Sequence, residues 1–138
     1  MFGEVVLLFA QALLILLKLC QLTDDLLGIW GAPEVTGKPV RSDLRSRKKS
    51  LPVVAALASE SDAGRELASL LADPEPLTED QLLRAAELVE AAGGKKWVEA
   101  EADTALSSAM TSLHEADMPE DVRAEFAAIA EFVTARQW

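Results

Sequence analysis

Two adjacent aspartates, Asp24 and Asp25, stand where a strongly apolar stretch of the sequence ends. The chain has a formal net charge of −10, yet six of its thirteen Lys and Arg residues lie between Lys38 and Lys49. A helix face in water usually mixes both signs of charge, whereas this segment presents its acids first and its bases afterwards. Carboxylates bind metal cations and ammonium groups bind phosphate oxygens, so this order indicates a site for a metal-bound polyanion.

Four residues at the end of the apolar stretch recur at helical intervals of three and four: Gln21, Asp24, Asp25 and Gly28. On a helix such residues project from one face. Neighbouring carboxylates at the negative end of a helix dipole repel each other unless a cation is present, which favours Mg²⁺ held partly through its waters. The loop that follows brings Lys38, Arg41 and Lys48 within reach of phosphate oxygens.

Three short motifs then follow one another along the chain: "CQLTDD" at 20–25, "TGKP" at 36–39 and "SDLRSRKKSLP" at 42–52. In this order they resemble the trans-isoprenyl diphosphate synthases. The second aspartate-rich motif of that family has the form F-Q-x-x-D-D-x-x-D, and G-K and D-L-x-x-x-K-x-S/T-L-P elements follow it. The Gly93–Gly94 pair and the closing "FVTARQW" also fit, so the resemblance extends over essentially the whole chain.

The resemblance implies an all-α fold, the C-terminal part of an isoprenoid-synthase helical bundle, and a set of site residues. The metal-binding carboxylates would be those of Asp24, Asp25 and Asp43, with Mg²⁺ as the cofactor. Lys38 and Lys48 would be the catalytic contacts to an allylic prenyl diphosphate, and Gln21 would line the same site. In a complete enzyme of this family, that substrate condenses with isopentenyl diphosphate.

The sequence departs from the family pattern at four positions: Cys20 replaces Phe, Gly28 the third Asp, Ala32 an Asp, and Arg41 a Gly. The change at Gly28 is expected to be tolerated, because sequences that read "DDLLGIWG" look like a normal subgroup. The change at Arg41 is expected to matter more, since glycine supplies backbone conformations that other residues adopt only at a cost.

The first aspartate-rich motif of the family has no counterpart here. Only 23 residues precede Asp24, and Asp24–Asp25 is the only adjacent Asp pair in the chain. Residues 1–138 are therefore expected to be a single partial domain, the C-terminal half of a synthase, present as a truncated product, a gene fragment or a subunit completed by a partner. The alternative is a non-catalytic helical subunit or remnant that acts through its apolar surface. A terpene cyclase fits less well, because the G-K and D-L-x-x-x-K elements belong to chain elongation.

The composition indicates a helical protein, since Gly and Pro are few and are grouped between runs rich in Ala, Leu and Glu. The apolar run Val5–Leu17 has 13 residues, whereas a membrane span needs about 20, so it is predicted to be a buried helix. Further helices are predicted to begin near Pro52, after a cap at Asp62, after a Thr78–Gln81 capping box, near Lys96 and after "DMPED".

Composition also limits the partners and the compartment. With 23 acidic against 13 basic residues, general affinity for nucleic acid is not expected. The single cysteine, Cys20, cannot form an internal disulfide, which favours a reducing cytoplasm; it is predicted to be a core residue. His114 is predicted to lie at the surface, and the three Trp residues are predicted to pack. Because one side of the apolar helix would lack neighbours, we expect a homo-oligomer or association with a missing N-terminal half.

Overall fold

The computed structural model of the chain describes residues 2–135, although not the side chain of Phe2. This part of the chain contains eight helices and no strand, as the sequence predicts. In chain order they are α1 (Phe2–Trp30), α2 (Pro33–Thr36), α3 (Ser42–Arg45), α4 (Leu51–Ala58), α5 (Asp62–Ala72), α6 (Glu79–Ala91), α7 (Gly94–Glu115) and α8 (Glu120–Thr134). The C-terminal tryptophan, Trp138, and the last residues of "FVTARQW" lie outside the described residues.

Local sequence signals explain several helix ends. The predicted capping box is confirmed, because the Thr78 hydroxyl accepts from the Gln81 amide at 3.3 Å and the Gln81 side chain accepts from the Thr78 amide at 2.9 Å. The predicted cap of α5 is wrong by one residue: Ser61 accepts from the Gly64 amide at 3.0 Å, and Asp62 is the first helical residue. Gly93 adopts a positive φ of 84° between α6 and α7, which ends one helix and lets the next begin.

The chain divides into two compact units, one formed by the chain up to Thr23 with the part from Ala100 onward, and the other by Asp24–Glu99. Their treatment as a single partial domain stays a prediction. The second unit has an apolar core to which α4, α5 and α6 contribute, including Val53, Leu67 and Leu82. The four residues predicted to share one face of α6 are all buried: Leu82, Ala85, Ala86 and Val89. This core supports the end of α1, because Ile29 belongs to it.

In the first unit, α1 packs with the later part of α7 and with α8. The rings of Phe9 and Phe126 meet edge to face with centroids 5.3 Å apart. Lys18 pairs with Glu101 at 3.2 Å. Arg123 on α8 donates to carbonyl groups at the end of α7, including that of Leu113 at 3.2 Å. These donors satisfy carbonyls that have no partner inside their own helix.

The apolar run of α1 is buried on one side only. Ala12 and Leu16 are buried, in agreement with the predicted buried helix, and the other side lacks neighbours, as was also expected. Val6, Leu7, Leu14 and Leu17 are each 59–67% exposed. Cys20, predicted to be a core residue, is exposed as well, and it lines an apolar groove of about 340 Å³ beside Phe126 on α8. The sequence supplies apolar residues on every side of α1, but the described helices cover only part of it.

Helix α1 is also longer than the apolar run suggested. At 29 residues it is long enough to cross a bilayer, and only 22% of its most apolar window is buried, so the length argument against a membrane helix does not hold. Length and composition alone are weak evidence, because a core helix and an N-terminal signal sequence have the same properties.

We predict that the purified chain associates through the exposed apolar face of α1, because uncovered patches of this kind usually find a partner. Size-exclusion chromatography with light scattering should give a mass above that of the monomer, 14.8 kDa, that rises with concentration. The double substitution Leu14→Gln, Leu17→Gln should lower that mass, since both side chains are more than 60% exposed. The polar double substitution Glu87→Gln, Lys96→Gln is the control and should leave it unchanged. A concentration-independent monomer with cooperative unfolding would contradict the prediction.

Candidate functional site

The two adjacent aspartates at the end of α1 have different surroundings. Successive helical residues point about 100° apart, so one carboxylate turns outward and the other inward. The side chain of Asp24 is 61% exposed, whereas that of Asp25 is 4% exposed. The sequence interpretation that both project from one open face is therefore correct only for Asp24. A buried carboxylate needs partners, and the chain supplies them.

Both carboxylate oxygens of Asp25 accept hydrogen bonds from other elements of the second unit. Oδ1 accepts from the Lys48 ammonium at 3.1 Å, and Oδ2 accepts from the backbone amide of Leu51 at 2.9 Å. Leu51 is the first residue of α4, so Asp25 caps that helix from a distance and lies at its positive end. The residue in the N-cap position, Ser50, makes no side-chain capping bond, and its hydroxyl is buried without a partner. Asp25 thus has a structural role that the sequence did not reveal.

Lys48 is the centre of the site, because its ammonium is near three carboxylates. Besides Asp25 at 3.1 Å, it lies 3.6 Å from Asp43 Oδ2 and 3.9 Å from Asp24 Oδ2. The sequence predicted that the acids and Lys48 would meet around a ligand, and the structure brings them together directly. Its side chain remains 46% exposed, so the ammonium is accessible from the solvent.

The charge environment of Lys48 favours its protonated form. The hydrogen bond to Asp25 raises the pKa of the Lys48 ammonium above its ordinary value of 10.5, and the charges of Asp25, Asp43 and Asp24 act in the same direction, whereas partial burial opposes them. Because the pKa is higher in the folded state, the stabilisation from Lys48 is fully present below about pH 10.5 and is lost as the pH rises through the folded value. Lys48 is therefore a cation at neutral pH.

The third carboxylate, that of Asp43, enters the site from α3 through a space that Gly28 leaves open. A Cβ atom at Gly28 would lie 2.0 Å from Asp43 Oδ2 and 2.4 Å from Cγ, so no other residue fits with Asp43 in this position. Asp43 is 8% exposed, and its Oδ2 atom is buried without a hydrogen-bond partner. The departure at Gly28 is therefore more than tolerated, because the glycine admits a carboxylate from another helix.

Lys38 belongs to the same unit as this cluster but forms no ion pair with its carboxylates. Lys38 follows Gly37, whose φ is 67°, and its backbone amide donates to the Thr36 hydroxyl at 3.1 Å. Its side chain is exposed and makes no ion pair with a residue in the range 2–135. Gln21 is exposed and belongs to the other unit. The roles of Lys38 and Gln21 stay predictions.

Arg41 precedes α3 in a conformation that favours glycine. Its φ is 58° and its ψ is 30°, and a residue with a Cβ atom adopts this left-handed conformation at a cost of about 1 kcal/mol. Its Nε atom is also buried without a hydrogen-bond partner. The concern raised by an arginine at a glycine position is thus borne out by the backbone.

The two other arginines of the basic segment bind within the chain. Arg45 pairs with Glu79 at 2.8 Å, and Arg47 donates to the carbonyl groups of Leu71 and Glu75. These contacts join the segment around α3 to α5 and α6. Of the adjacent basic residues, Lys49 is exposed.

The carboxylates and the buried oxygen of Asp43 have the chemistry that Mg²⁺ prefers, namely hard oxygen donors with room for retained waters. Within residues 2–135, however, no group of three or more His, Cys, Asp or Glu residues is arranged to hold a metal ion. The space between the carboxylates is filled by the Lys48 ammonium. The ligand set of Asp24, Asp25 and Asp43 therefore stays a prediction, which the donor types fit and which requires Lys48 to move.

Outside the site, His114 is exposed, as predicted. Trp30 is half-buried and carries the Lys95 ammonium 5.0 Å from its ring centroid, in agreement with a packing role. Trp97 is 48% exposed, so the prediction that it packs is wrong. What the sequence analysis missed are the Leu51 amide and the opening at Gly28. The only signal for the role of the Leu51 amide was Pro52 at the second position of α4. The only signal for the opening at Gly28 was the i, i+3 spacing of Asp25 and Gly28.

Comparison with known proteins agrees with this fold. The polyprenyl synthetase family matches residues 10–89, a range that includes Lys48 and the three aspartates around it, Asp24, Asp25 and Asp43. The chain is 45% identical over 120 residues to a (2E,6E)-farnesyl diphosphate synthase of Mycobacterium tuberculosis. The matched region covers 85% of this chain and 33% of that protein. The chain is 49% identical over 96 residues to a geranylgeranyl diphosphate synthase of the same organism, covering 70% and 27%.

Two solved structures are similar. A polyprenyl synthetase from Streptomyces coelicolor has a TM-score of 0.82 and 46% identity, covering 86% of this chain and 37% of that one. A geranylgeranyl pyrophosphate synthase from Corynebacterium glutamicum, complexed with isoprenyl diphosphate and magnesium, has a TM-score of 0.77 and 30% identity, covering 86% and 34%. The chain belongs to the polyprenyl synthetase family and spans about a third of the length of these relatives.

We predict that Gly28→Ala displaces the Asp43 carboxylate, because the new Cβ atom overlaps it. In a helix this substitution normally stabilises by about 1 kcal/mol, but here overpacking should cancel that gain or reverse it by about 1–2 kcal/mol. In the Asp43→Ala background the overlap is gone, so Gly28→Ala should stabilise. Denaturant unfolding of the two single variants and the double variant measures the coupling. Additive effects would show that Asp43 does not occupy the space beside Gly28.

Proposed function

We propose that the chain is the C-terminal part of a prenyltransferase of isoprenoid biosynthesis and that its site binds a Mg²⁺-bound allylic diphosphate. The observation that carries the proposal is the convergence of Asp24, Asp25 and Asp43 on Lys48 within 3.9 Å, because it joins oxygen donors for a cation to a donor for phosphate. The chain's family supports it, as does the similar protein whose printed title names isoprenyl diphosphate and magnesium.

In this mechanism the chain's residues act on the leaving diphosphate. Asp24, Asp25 and Asp43 would hold Mg²⁺, directly or through its waters, and the bound metal would neutralise charge on the diphosphate as it departs. Lys48 and Lys38 donate to phosphate oxygens and stabilise the same developing charge. The allylic carbon thereby loses its bond to oxygen, the double bond of isopentenyl diphosphate attacks it, and a proton is lost from the adduct. Gln21 would contribute a polar lining to the site.

The exposure of the two aspartates decides which variant tests metal binding. Asp24 contributes only the 3.9 Å contact to Lys48, whereas Asp25 also caps α4. Asp24→Asn therefore removes a candidate ligand with little structural effect. Asp25→Asn replaces one of the two oxygens that accept from Lys48 and from the Leu51 amide by an NH2 group, so its binding data need a parallel measurement of stability.

We predict that calorimetry with a non-hydrolysable allylic diphosphate gives binding that requires Mg²⁺ and that weakens about tenfold or more in Asp24→Asn. Asp80→Asn removes the same charge at an exposed position in the first turn of α6 and is the matched control, which should bind like the wild type. Binding of equal strength with and without Mg²⁺ would refute the proposal.

We also predict that the 138-residue polypeptide alone does not condense isopentenyl diphosphate with an allylic diphosphate. One aspartate cluster does not orient both substrates, and the chain corresponds to about a third of its relatives' length. A radiolabelled condensation assay on the purified chain measures this directly. Turnover at ordinary enzyme rates would show that the family's first aspartate-rich motif is dispensable.

The second candidate is a non-catalytic helical subunit that acts through its apolar surface, and the exposed leucines of α1 favour it specifically. In that case the partner would be a second copy of the chain or a polypeptide that supplies the N-terminal part of the bundle. In either case we propose a cytoplasmic location, because a single cysteine that cannot form an internal disulfide fits a reducing compartment, and no nucleic-acid partner, because the chain is strongly acidic.

A further inference from the structure

The acidic cluster already contains a cation of its own. Three carboxylates surround the single ammonium of Lys48, so three negative charges face one positive charge. Only the contact to Asp25 is a hydrogen bond, and the buried Oδ2 atom of Asp43 has no donor. This Asp43 oxygen is therefore a hydrogen-bond acceptor without a donor, and it lies 3.6 Å from the Lys48 ammonium.

A divalent cation would use the same carboxylate oxygens. Mg²⁺ held by Asp25 and Asp43 would lie close to an ammonium that stays where it is, and two cations at contact distance repel strongly. Lys48 can leave, because its unbranched side chain is 46% exposed and its backbone is held independently by the bond from the Lys48 amide to the Asp43 carbonyl at 2.9 Å. Once it leaves the carboxylates, its ammonium needs another anion.

We propose that Lys48 is a displaceable counterion, which neutralises Asp25 and Asp43 in the metal-free state and moves to the diphosphate when Mg²⁺ enters. This inference rests on the proposed function, because it assumes that the site binds Mg²⁺-diphosphate. Its consequence is a coupling between the two components: Mg²⁺ alone competes with Lys48, whereas Mg²⁺ together with diphosphate gives Lys48 a new partner. Lys48 therefore lowers the affinity for Mg²⁺ alone and raises the affinity for Mg²⁺ bound to diphosphate.

The test is the effect of Lys48→Gln on two affinities measured by calorimetry. Affinity for Mg²⁺ alone should rise about fivefold or more, because the competing cation is gone. Affinity for the preformed complex of Mg²⁺ with inorganic diphosphate should fall by a similar factor, because a phosphate donor is lost. Lys49→Gln removes the same charge from an exposed neighbour and should change neither affinity by more than about twofold. Lys48→Arg keeps the positive charge and should leave the Mg²⁺ affinity low.

The opposite signs separate this role from a purely structural one. If Lys48→Gln weakens both affinities or changes neither, the inference is overturned while the proposed function stands, provided that the wild type binds Mg²⁺-diphosphate. If the wild type binds neither Mg²⁺ nor the complex, the proposed function fails and this inference fails with it.

A measurement on the wild type covers the case in which Lys48→Gln does not fold. In a chain labelled with ¹⁵N-lysine, the Lys48 ammonium resonance can be assigned by its loss in Lys48→Arg. Its hydrogen bond to the buried Asp25 carboxylate should protect it from exchange with water. Adding Mg²⁺ alone should broaden this signal, and adding diphosphate as well should shift it to a new position. A resonance that neither addition alters would overturn the inference.

Discussion

The buried carboxylate of Asp25 is the constraint on which the second unit depends. A charge removed from water is stable only when its oxygens are paired, and here the partners come from two other parts of the chain, the Leu51 amide and the Lys48 ammonium. One side chain thus fixes the end of α1 against the start of α4 and determines where the intervening loop must return. The candidate site lies at this point, because the ammonium that pairs with Asp25 also lies 3.6 Å from Asp43 and 3.9 Å from Asp24.

Sequence patterns predicted which charged residues lie together, whereas the chemistry of the site stays a prediction. The order of Asp24, Asp25, Asp43 and Lys48 indicated residues that meet, and they do meet. Hydrophobic patterning and capping signals also predicted α4, α5 and α6, because those signals are local, whereas the short helices α2 and α3 lie where a loop was predicted. The cap that Asp25 provides to α4 could not be predicted, since it joins residues 26 positions apart and one partner is a backbone amide, which no residue type encodes.

The burial of α1 could be predicted only in part, because an apolar sequence does not tell which side of the helix has neighbours. Apolarity reports a preference for leaving water, but burial depends on which neighbours are present, and the described helices leave Leu14 and Leu17 in solvent. The departures from the family pattern at Gly28 and Arg41 could be judged from residue types only. The structure shows that they differ in their effect on the backbone and on the space around it. Gly28 creates room that Asp43 uses, whereas Arg41 adopts a left-handed backbone that its side chain disfavours.

The engagement of Arg45 and Arg47 within the protein has a consequence for how fast an anionic ligand arrives. Glu79 neutralises the charge of Arg45, whereas Arg47 keeps its charge beside carbonyl groups, so it adds to the positive field of Lys38, Lys48 and Lys49 in a chain of net charge −10. At long range a diphosphate therefore meets repulsion, and attraction begins only within about one Debye length of the lysines, roughly 8 Å at physiological salt. Salt slows most encounters between a basic pocket and a phosphate, but here it should speed them, because it screens the distant acids more than the nearby lysines.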